Sequence, residues 1–503
     1  MIPASHPILS ADEARDLEAK LFRGDEAREW EAMGRAGRAV AAAVLADFLE
    51  VGGLQPGGRL LVLAGKGNNA GDALIAARTI LEKIPGTQAD VLFVFGERTL
   101  RPLALRAWRD LLQVAPDQVT PIGVELLVPR PAYDVCLDGV FGLQFKAPLD
   151  GPAAKALDLA NQLPVVLRAA VDLPSGLDDP HAFRADFTYA TGSLKAPLLK
   201  LAMAGRLRYV ELGFFGAEKG GPARPSRVLL PSVLGSLAAF RAPHSDKRSY
   251  GHLFVLAGSR GYPGAALMAV RSALRSGVGL VTAFVPESLV AAFASQAPEA
   301  MWVGCPETRD GAVAATGGKL LASRLKDATA VLAGPGLGRQ PETDALLCEL
   351  VRNPAVPIVL DADALQPDVV GSALAPLVLT PHAGEYARIG GGDDLPGFCS
   401  KSKAVVVLKG PITRICQGGP ATVFYSPFGG PVLARGGSGD LLAGLIGGLL
   451  AQSPSEPLLA ACRGAVWHGL AADALARSRG QTAVTSPQLL EFLPDVLRSD
   501  GVL

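Results

Sequence analysis

A chain of 503 residues exceeds what one hydrophobic core usually serves, so two or more domains are expected. Its 48 Lys and Arg balance 48 Asp and Glu, which excludes a general attraction to nucleic acid or anionic membrane and leaves recognition to local sites. The 6 cysteines stand apart with no C-x-x-C pair, which argues against a disulfide framework or zinc knuckle and for thiols in a reducing compartment.

Residues 1–20 carry Asp12, Glu13, Asp16 and Glu18 where a secretory signal needs a basic end and an apolar core. The most apolar run, 441–450, is too short to cross a bilayer and follows Arg435 and Asp440. The expectation is a cytoplasmic enzyme of small molecules, with neither a nucleic acid nor a membrane as partner.

In chain order, Met33, Gly37, Val40, Val44 and Phe48 recur at three- and four-residue steps, the stripe of a helix that buries one face. Residues 59–64 form an apolar run suited to a buried strand. They meet Gly65-Lys66-Gly67-Asn68-Asn69-Ala70-Gly71-Asp72 before a helical stretch, 73–81. Strand, Gly-rich loop and helix open a doubly wound α/β fold. Gly65, Gly67 and Ala70 formally satisfy a dinucleotide-binding pattern, with Glu97 after the next strand, 91–95, as its ribose acid, although that signal alone is weak. Two Asn and an Asp on one turn say more, because they offer carbonyl and carboxylate oxygens as well as backbone N–H groups. Two later strands deliver further oxygens: 133–137 leads into Asp138 and Gly142, and 165–171 into Asp172 and Ser175. Ligands of a parallel sheet sit at strand carboxyl ends, so Asn69, Asp138, Asp172 and Ser175 are expected to converge. Taken singly, each acid is as readily a turn former.

GKGNNAGD, DGVFG and VDLPSGLD, in this order on an α/β pattern, resemble the NAD(P)H-hydrate epimerase family over residues 1–220. The resemblance implies a Rossmann-like three-layer domain in which Asn68, Asn69, Ala70, Gly71, Asp72, Gly142 and Asp172 line a hydrated nicotinamide nucleotide. It also implies that Asn69, Asp138 and Ser175 hold one potassium ion and that Asp172 is the acid/base. Oxygen-only donors suit such a hard cation. The family usually has Gly where this chain has Ala70 and Ala73, and a methyl at Ala70 requires a negative φ.

Pro222, Pro225, Pro231 and Pro243 among small residues mark 221–245 as a linker. A second α/β series starts at 246, with strands at 252–257 and 278–285 around a helix at 264–276, and later strands at 330–333, 356–360, 377–380, 404–408 and 422–425. Polar groups again follow strands: Gly334-Pro335-Gly336, Asp361 and Asp363, Thr380-Pro381-His382, and Lys409-Gly410. The Gly-rich stretch 434–444 reads as a loop feeding a helix, 441–451, at whose N-terminus unpaired N–H groups and the helix dipole form an anion site. Asp440 stands out there, since a carboxylate beside an anion site either caps the helix or takes a proton from a hydroxyl that is to meet phosphate.

The ordered set AGS, GYPGAA, AGPGLG, LTPHAGE, LKG and GGSGD resembles the ADP/ATP-dependent NAD(P)H-hydrate dehydratases, a branch of the ribokinase-like superfamily, over residues 246–503. The resemblance implies that Lys409, Gly410, Pro411, Ile412 and Thr413, with Gly437, Ser438 and Gly439, contact a nucleotide. Ala265, Gly336, His382 and Asp440 would face the hydrated nicotinamide, with Asp440 as the catalytic base. The implied chemistry is repair. Water added across a ring double bond of NADH or NADPH gives NADHX or NADPHX in two epimers. The first domain interconverts them, and the second uses ADP or ATP with Mg2+ to turn the hydroxyl into a phosphate leaving group. Both families tend to form homo-oligomers. Two other readings stay open: a ribokinase-like kinase of a hydroxymethylpyrimidine or vitamin alcohol, and a non-catalytic nucleotide-binding module in the first domain.

Overall fold

Parallel strands with near-continuous apolar runs must be covered on both faces, and helices alternate with them along this chain to do so. The computed structural model describes residues 2–502 apart from 128–131, 144, 146, 150, 201, 217–224, 354, 420–421 and 500–501. These residues fall into two compact units, one of 7–219 with 476–481 and the other of 1–6, 220–475 and 482–503. The expected α/β class with parallel sheets is borne out in both.

In the first unit the strands run in the order Val119–Ile122, Gln88–Phe93, Arg59–Ala64, Tyr133–Gly139, Val165–Val171, Phe187–Thr191 and Arg206–Val210, every neighbouring pair parallel. The chain starts at Arg59–Ala64, steps outward on one side, then returns to build the other side from Tyr133–Gly139. The reversal between those two strands opens a crevice at their carboxyl ends. There the loops touch: a Cβ on Gly65 would lie 1.9 Å from the Val140 carbonyl oxygen.

The apolar stripe belongs to the helix Glu26–Phe48, whose Met33, Val40, Val44 and Phe48 are buried. It presses onto the helix Asn68–Lys83 where side chains are small. A Cβ on Gly37 would come within 2.6 Å of Ile75, and one on Gly71 within 2.4 Å of the Met33 sulfur. This second helix begins five residues earlier than the sequence predicts, because extended Gly67 is its N-cap and 68–72 form its first turns. Ala70 is therefore helical, outside the positive-φ residues, and both Ala70 and Ala73 are fully buried.

In the second unit Met301–Cys305, Leu280–Pro286, His252–Leu256, Ala330–Ala333, Ile358–Leu360, Leu377–Leu379 and Val405–Leu408 follow one another in parallel. Thr413–Gln417 then runs antiparallel to its neighbours on both sides, a strand missing from the sequence reading. The order reverses between His252–Leu256 and Ala330–Ala333, and the helix Ser438–Gln452 packs on both of these strands. Of the proline-rich stretch read as a linker, 221–224 lie outside the described residues. From Ser226 the chain is structured: Ser226–Leu229 pairs in parallel with Val423–Ser426.

One buried ion cluster fixes the strand that carries part of the first site. Asp47, on the helix Glu26–Phe48, accepts from Arg208 Nε at 3.0 Å, Arg477 Nη2 at 2.8 Å and the Tyr189 hydroxyl at 3.2 Å. Burial alone would raise its pKa, but the two guanidiniums outweigh it and hold the carboxyl below its ordinary value. Asp47→Ala is expected to cost about 3–5 kcal/mol in urea unfolding, because it leaves buried positive charge uncompensated. A depressed folded pKa gives stability that is present above the ordinary Asp value of about 4 and is lost below it. The gap between wild type and D47A should therefore narrow as pH falls through that range.

Candidate active sites

The first crevice gathers Asn69, Asp138 and Ser175 into one hydrogen-bonded network. Asp138 ends its strand fully buried, and Ser175 approaches it twice, through its hydroxyl at 2.6 Å and its backbone N–H at 2.7 Å. The Ser175 hydroxyl oxygen accepts the Phe141 N–H at 2.8 Å, and the Asn69 amide donates to the Phe141 carbonyl at 2.8 Å. Gly139 permits this convergence, since a Cβ there would lie 2.6 Å from that of Ala73 and 2.8 Å from the Asn69 carbonyl. Gly142 passes Asn69 at ordinary contact distance. Burial lifts the Asp138 carboxyl to about 6, although the Ser175 and Val140 donors favour its charge. The atoms here that could face a cation are oxygens, those of the Asp138 carboxylate, the Ser175 hydroxyl and the Phe141 carbonyl. Among the described residues no group of three His, Cys, Asp or Glu that could hold a metal ion occurs.

Asp172 follows the next strand in the left-handed region, φ +66, which Asp tolerates better than most residues. Its Oδ1 accepts from Thr191 N–H at 3.2 Å, from the Thr191 hydroxyl at 3.0 Å and from the ammonium of fully buried Lys195. Next to it an open cleft of about 450 Å³ is lined by Glu18, Glu29, Asn68, Asp72, Thr191 and Phe214, among others. Burial raises the carboxyl of Asp72 well above its ordinary value, with Asp172 and Glu18 adding to the effect. Lys195 and Thr191 were missed in the sequence; the trace was a lysine within the mainly apolar run 194–199, after a short strand. Glu97, the supposed ribose acid, instead accepts the Trp108 indole N–H at 3.0 Å.

In the second unit the helix Ser438–Gln452 starts where the sequence places an anion loop, but its N-cap is Gly437, not Asp440. Gly437 has φ +91, a conformation that favours glycine, and packs against the flexible end of Met268. The Ser438 hydroxyl donates to the Leu433 carbonyl at 2.7 Å and that of Ser486 to the Gly436 carbonyl at 2.8 Å, fixing the loop, and the Ser438 N–H turns back to the Arg435 carbonyl at 3.4 Å. Behind it, buried His468 has its pKa lowered to about 4 by burial and stays neutral against the Ser438 backbone.

Asp440 sits in the first turn, and Lys409 comes up beside it. A Cβ on Gly439 would lie 3.3 Å from the Lys409 ammonium, which pairs with Asp361 at 3.0 Å and Glu385 at 3.8 Å. Asp361 does not cap the turn that follows its strand; it also accepts the Thr380 hydroxyl at 2.7 Å. Burial first, then Asp361, raises the Asp440 carboxyl to about 7, with Lys409 working the other way. His382 is tied to this group through Lys409, whose N–H donates to the Pro381 carbonyl at 2.8 Å. Its Nδ1 accepts the Gly384 N–H at 3.0 Å, capping a short helix and placing the neutral ring's proton on Nε2. Gly336, at φ +62, lies against Ala265 and Tyr262, and its carbonyl accepts the Ser259 hydroxyl at 2.8 Å. Gly410, Pro411 and Ile412 make the turn into the antiparallel strand that begins at Thr413.

Comparison with known proteins gives the same two-part picture. Residues 253–495 match the family model described as NAD(P)H-hydrate dehydratase, and residues 30–196 the one described as YjeF-related protein N-terminus. A bifunctional NAD(P)H-hydrate repair enzyme of Gloeobacter violaceus is 36% identical over 524 residues, covering 98% of this chain and 98% of its own. Its counterpart in Moorella thermoacetica is 33% identical over 473 residues, 88% of each chain. An ADP/ATP-dependent NAD(P)H-hydrate dehydratase structure from Bacillus subtilis, co-crystallized with ATP/Mg2+, is 29% identical with a TM-score of 0.45, covering 52% of this chain and 93% of that one.

The Lys195–Asp172 pair is testable by a double-mutant cycle. K195M alone is expected to cost about 3–5 kcal/mol in urea unfolding, since it leaves a buried carboxylate without its cation. The same change in a D172N background should cost much less, and strict additivity would contradict the pairing.

Proposed function

The chain belongs to the family of bifunctional NAD(P)H-hydrate repair enzymes, and we propose that the two clusters divide the repair between them. The chain interconverts the epimers of hydrated NAD(P)H and dehydrates one epimer at the expense of ADP or ATP. The first reaction is assigned to residues 1–220 and the second to 246–503, in keeping with the two family matches at 30–196 and 253–495, while the strand Ser226–Leu229 of the intervening stretch already belongs to the second unit's sheet.

The observation that carries the dehydratase assignment is Asp440, a carboxyl poised near neutrality one turn inside an anion-binding helix end. Hydroxide is a poor leaving group and phosphate a good one. Asp440 takes the proton of the substrate hydroxyl as that oxygen attacks the terminal phosphoryl group. The N–H groups of Gly437, Ser438 and Gly439 hold the developing phosphoryl charge, with the Lys409 ammonium beside them. Elimination of phosphate, with loss of the proton from the neighbouring ring carbon to solvent, then restores the ring double bond. Magnesium arrives with the nucleotide phosphates as part of the co-substrate. Lys409 to Thr413 provide the nucleotide-facing edge, while Ala265, Gly336, His382 and Asp440 face the nicotinamide.

In the first unit Asn69, Asp138 and Ser175 would hold potassium, whose charge would compensate the buried Asp138 carboxylate and draw in the substrate. Asn68 to Asp72 and Gly142 line that substrate, and Asp172 acts as base. The proposal extends to a homo-oligomer in the cytoplasm, supported by the habit of both families and by unpaired cysteines.

As a base Asp440 works deprotonated, so dehydration at saturating substrate should rise with pH through about 7. D440N should lower that rate by about 100-fold or more, while epimer exchange continues at the wild-type rate. Loss of both activities in a folded variant would contradict separate sites.

A further inference from the structure

The first site has a base but, so far, no acid. Water adds to an enamine double bond at the carbon bonded to nitrogen, so the hydrated nicotinamide carries its hydroxyl next to the ring nitrogen. Exchanging the epimers through loss and return of water needs a proton delivered to the departing hydroxyl and another removed from the returning water. Asp172 cannot serve both ends at once. Its Oδ1 is saturated by the Lys195 ammonium and both Thr191 donors, an environment built for the charged carboxylate.

Glu18 stands in the same cleft on the helix Ala11–Phe22, a segment that the sequence reading used only to exclude a signal peptide. The wall around it is largely apolar, with Phe22, Ala32, Met33, Leu212 and Phe214, while Asn68, Asp72 and Thr191 supply the polar side. We infer that Glu18 is the proton donor of this site, protonating the substrate hydroxyl while Asp172 deprotonates incoming water. The inference rests on the epimerase reading of the first unit.

The step balances. The ring-nitrogen lone pair forms C=N as the C–O bond breaks, and the hydroxyl leaves as water with the Glu18 proton. Water adds to the opposite face, its proton passes to Asp172, and the electron pair returns to nitrogen. Solvent then carries the proton from Asp172 back to Glu18. The charged groups that face Glu18 support this role. Burial and Asp172 raise its carboxyl to about 7, Lys195 opposes them and Glu29 adds slightly. Asp72 completes the acidic set, and its own carboxyl is raised by burial, Asp172 and Glu18.

The test uses the full chain with mixed NADHX epimers, following epimer exchange by NMR without nucleotide and dehydration with nucleotide and magnesium as a check on folding. In wild type, kcat for exchange should fall as pH rises through about 7, because the donor is lost. E18Q should lower kcat about 100-fold and abolish that alkaline limb, with KM little changed and dehydration intact. E18D should retain the limb. Wild-type exchange by E18Q, or a slow E18Q that keeps the limb, would overturn the inference, as would a limb that disappears in D72N but persists in E18Q. If wild type exchanged no epimers beyond the spontaneous rate while dehydration continued, the epimerase reading itself would fall and the inference with it.

Discussion

Withdrawing Asp138, Asp172 and Asp440 from water penalises each charge by several kcal/mol unless something nearby compensates. Much of both sites is the manner of that compensation. Asp172 is given an ammonium and two further hydrogen-bond donors. Asp138 is given only neutral donors, from Ser175 and Val140. Asp440 has other acids around it and one lysine, and settles near neutrality. One physical problem thus has three different solutions in the two units, and the roles proposed for the three carboxyls follow those differences.

Parallel-sheet topology supplies the places. In each unit the strand order reverses beside the first strand of the series, and the paired loops at that point carry the groups that approach most closely. In the first unit these are Gly65 against Val140; in the second, the Gly258 N–H donates to the Pro335 carbonyl at 2.8 Å. Glycine is required there for space as much as for backbone freedom. The helices bearing Asn68 to Asp72 and Ser438 to Asp440 then aim their uncapped N-termini at the same edges. Neither Gly67 nor Gly437 offers a side-chain cap, although the Ala70 N–H turns back to the Gly67 carbonyl at 3.1 Å and the Ser438 N–H to the Arg435 carbonyl at 3.4 Å.

Some strands with long apolar runs were legible to the residue, such as Val165–Val171 and Ala330–Ala333, whereas the one read at 91–95 is Gln88–Phe93. Of the four residues expected to converge, Asn69, Asp138 and Ser175 join one network, while Asp172 bonds to Thr191 and Lys195. The start of the helix at Asn68 was less so, since two Asn and a Gly read locally as a loop while packing of Gly71 on Met33 favours the helix. Lys195, Thr191 and Glu18 were barely legible: a lysine in a mainly apolar run was the one trace, and it is folding that brings Asp172 against Lys195 and Thr191. Asp361 shows the same limit. It reads as a strand-end turn former, and only the fold reveals Lys409 and Thr380 against it.

The central claim is that one chain holds two cooperating sites, so that a substrate mixture is repaired to completion. The most direct measurement is recovery of reduced-nicotinamide absorbance from mixed NADHX epimers, with magnesium and ADP, ATP or no nucleotide. Nucleotide-dependent recovery that runs past the share of one epimer, after subtraction of spontaneous exchange, is the predicted result. Recovery that halts when one epimer is exhausted would contradict the first site, and none with either nucleotide would contradict the second.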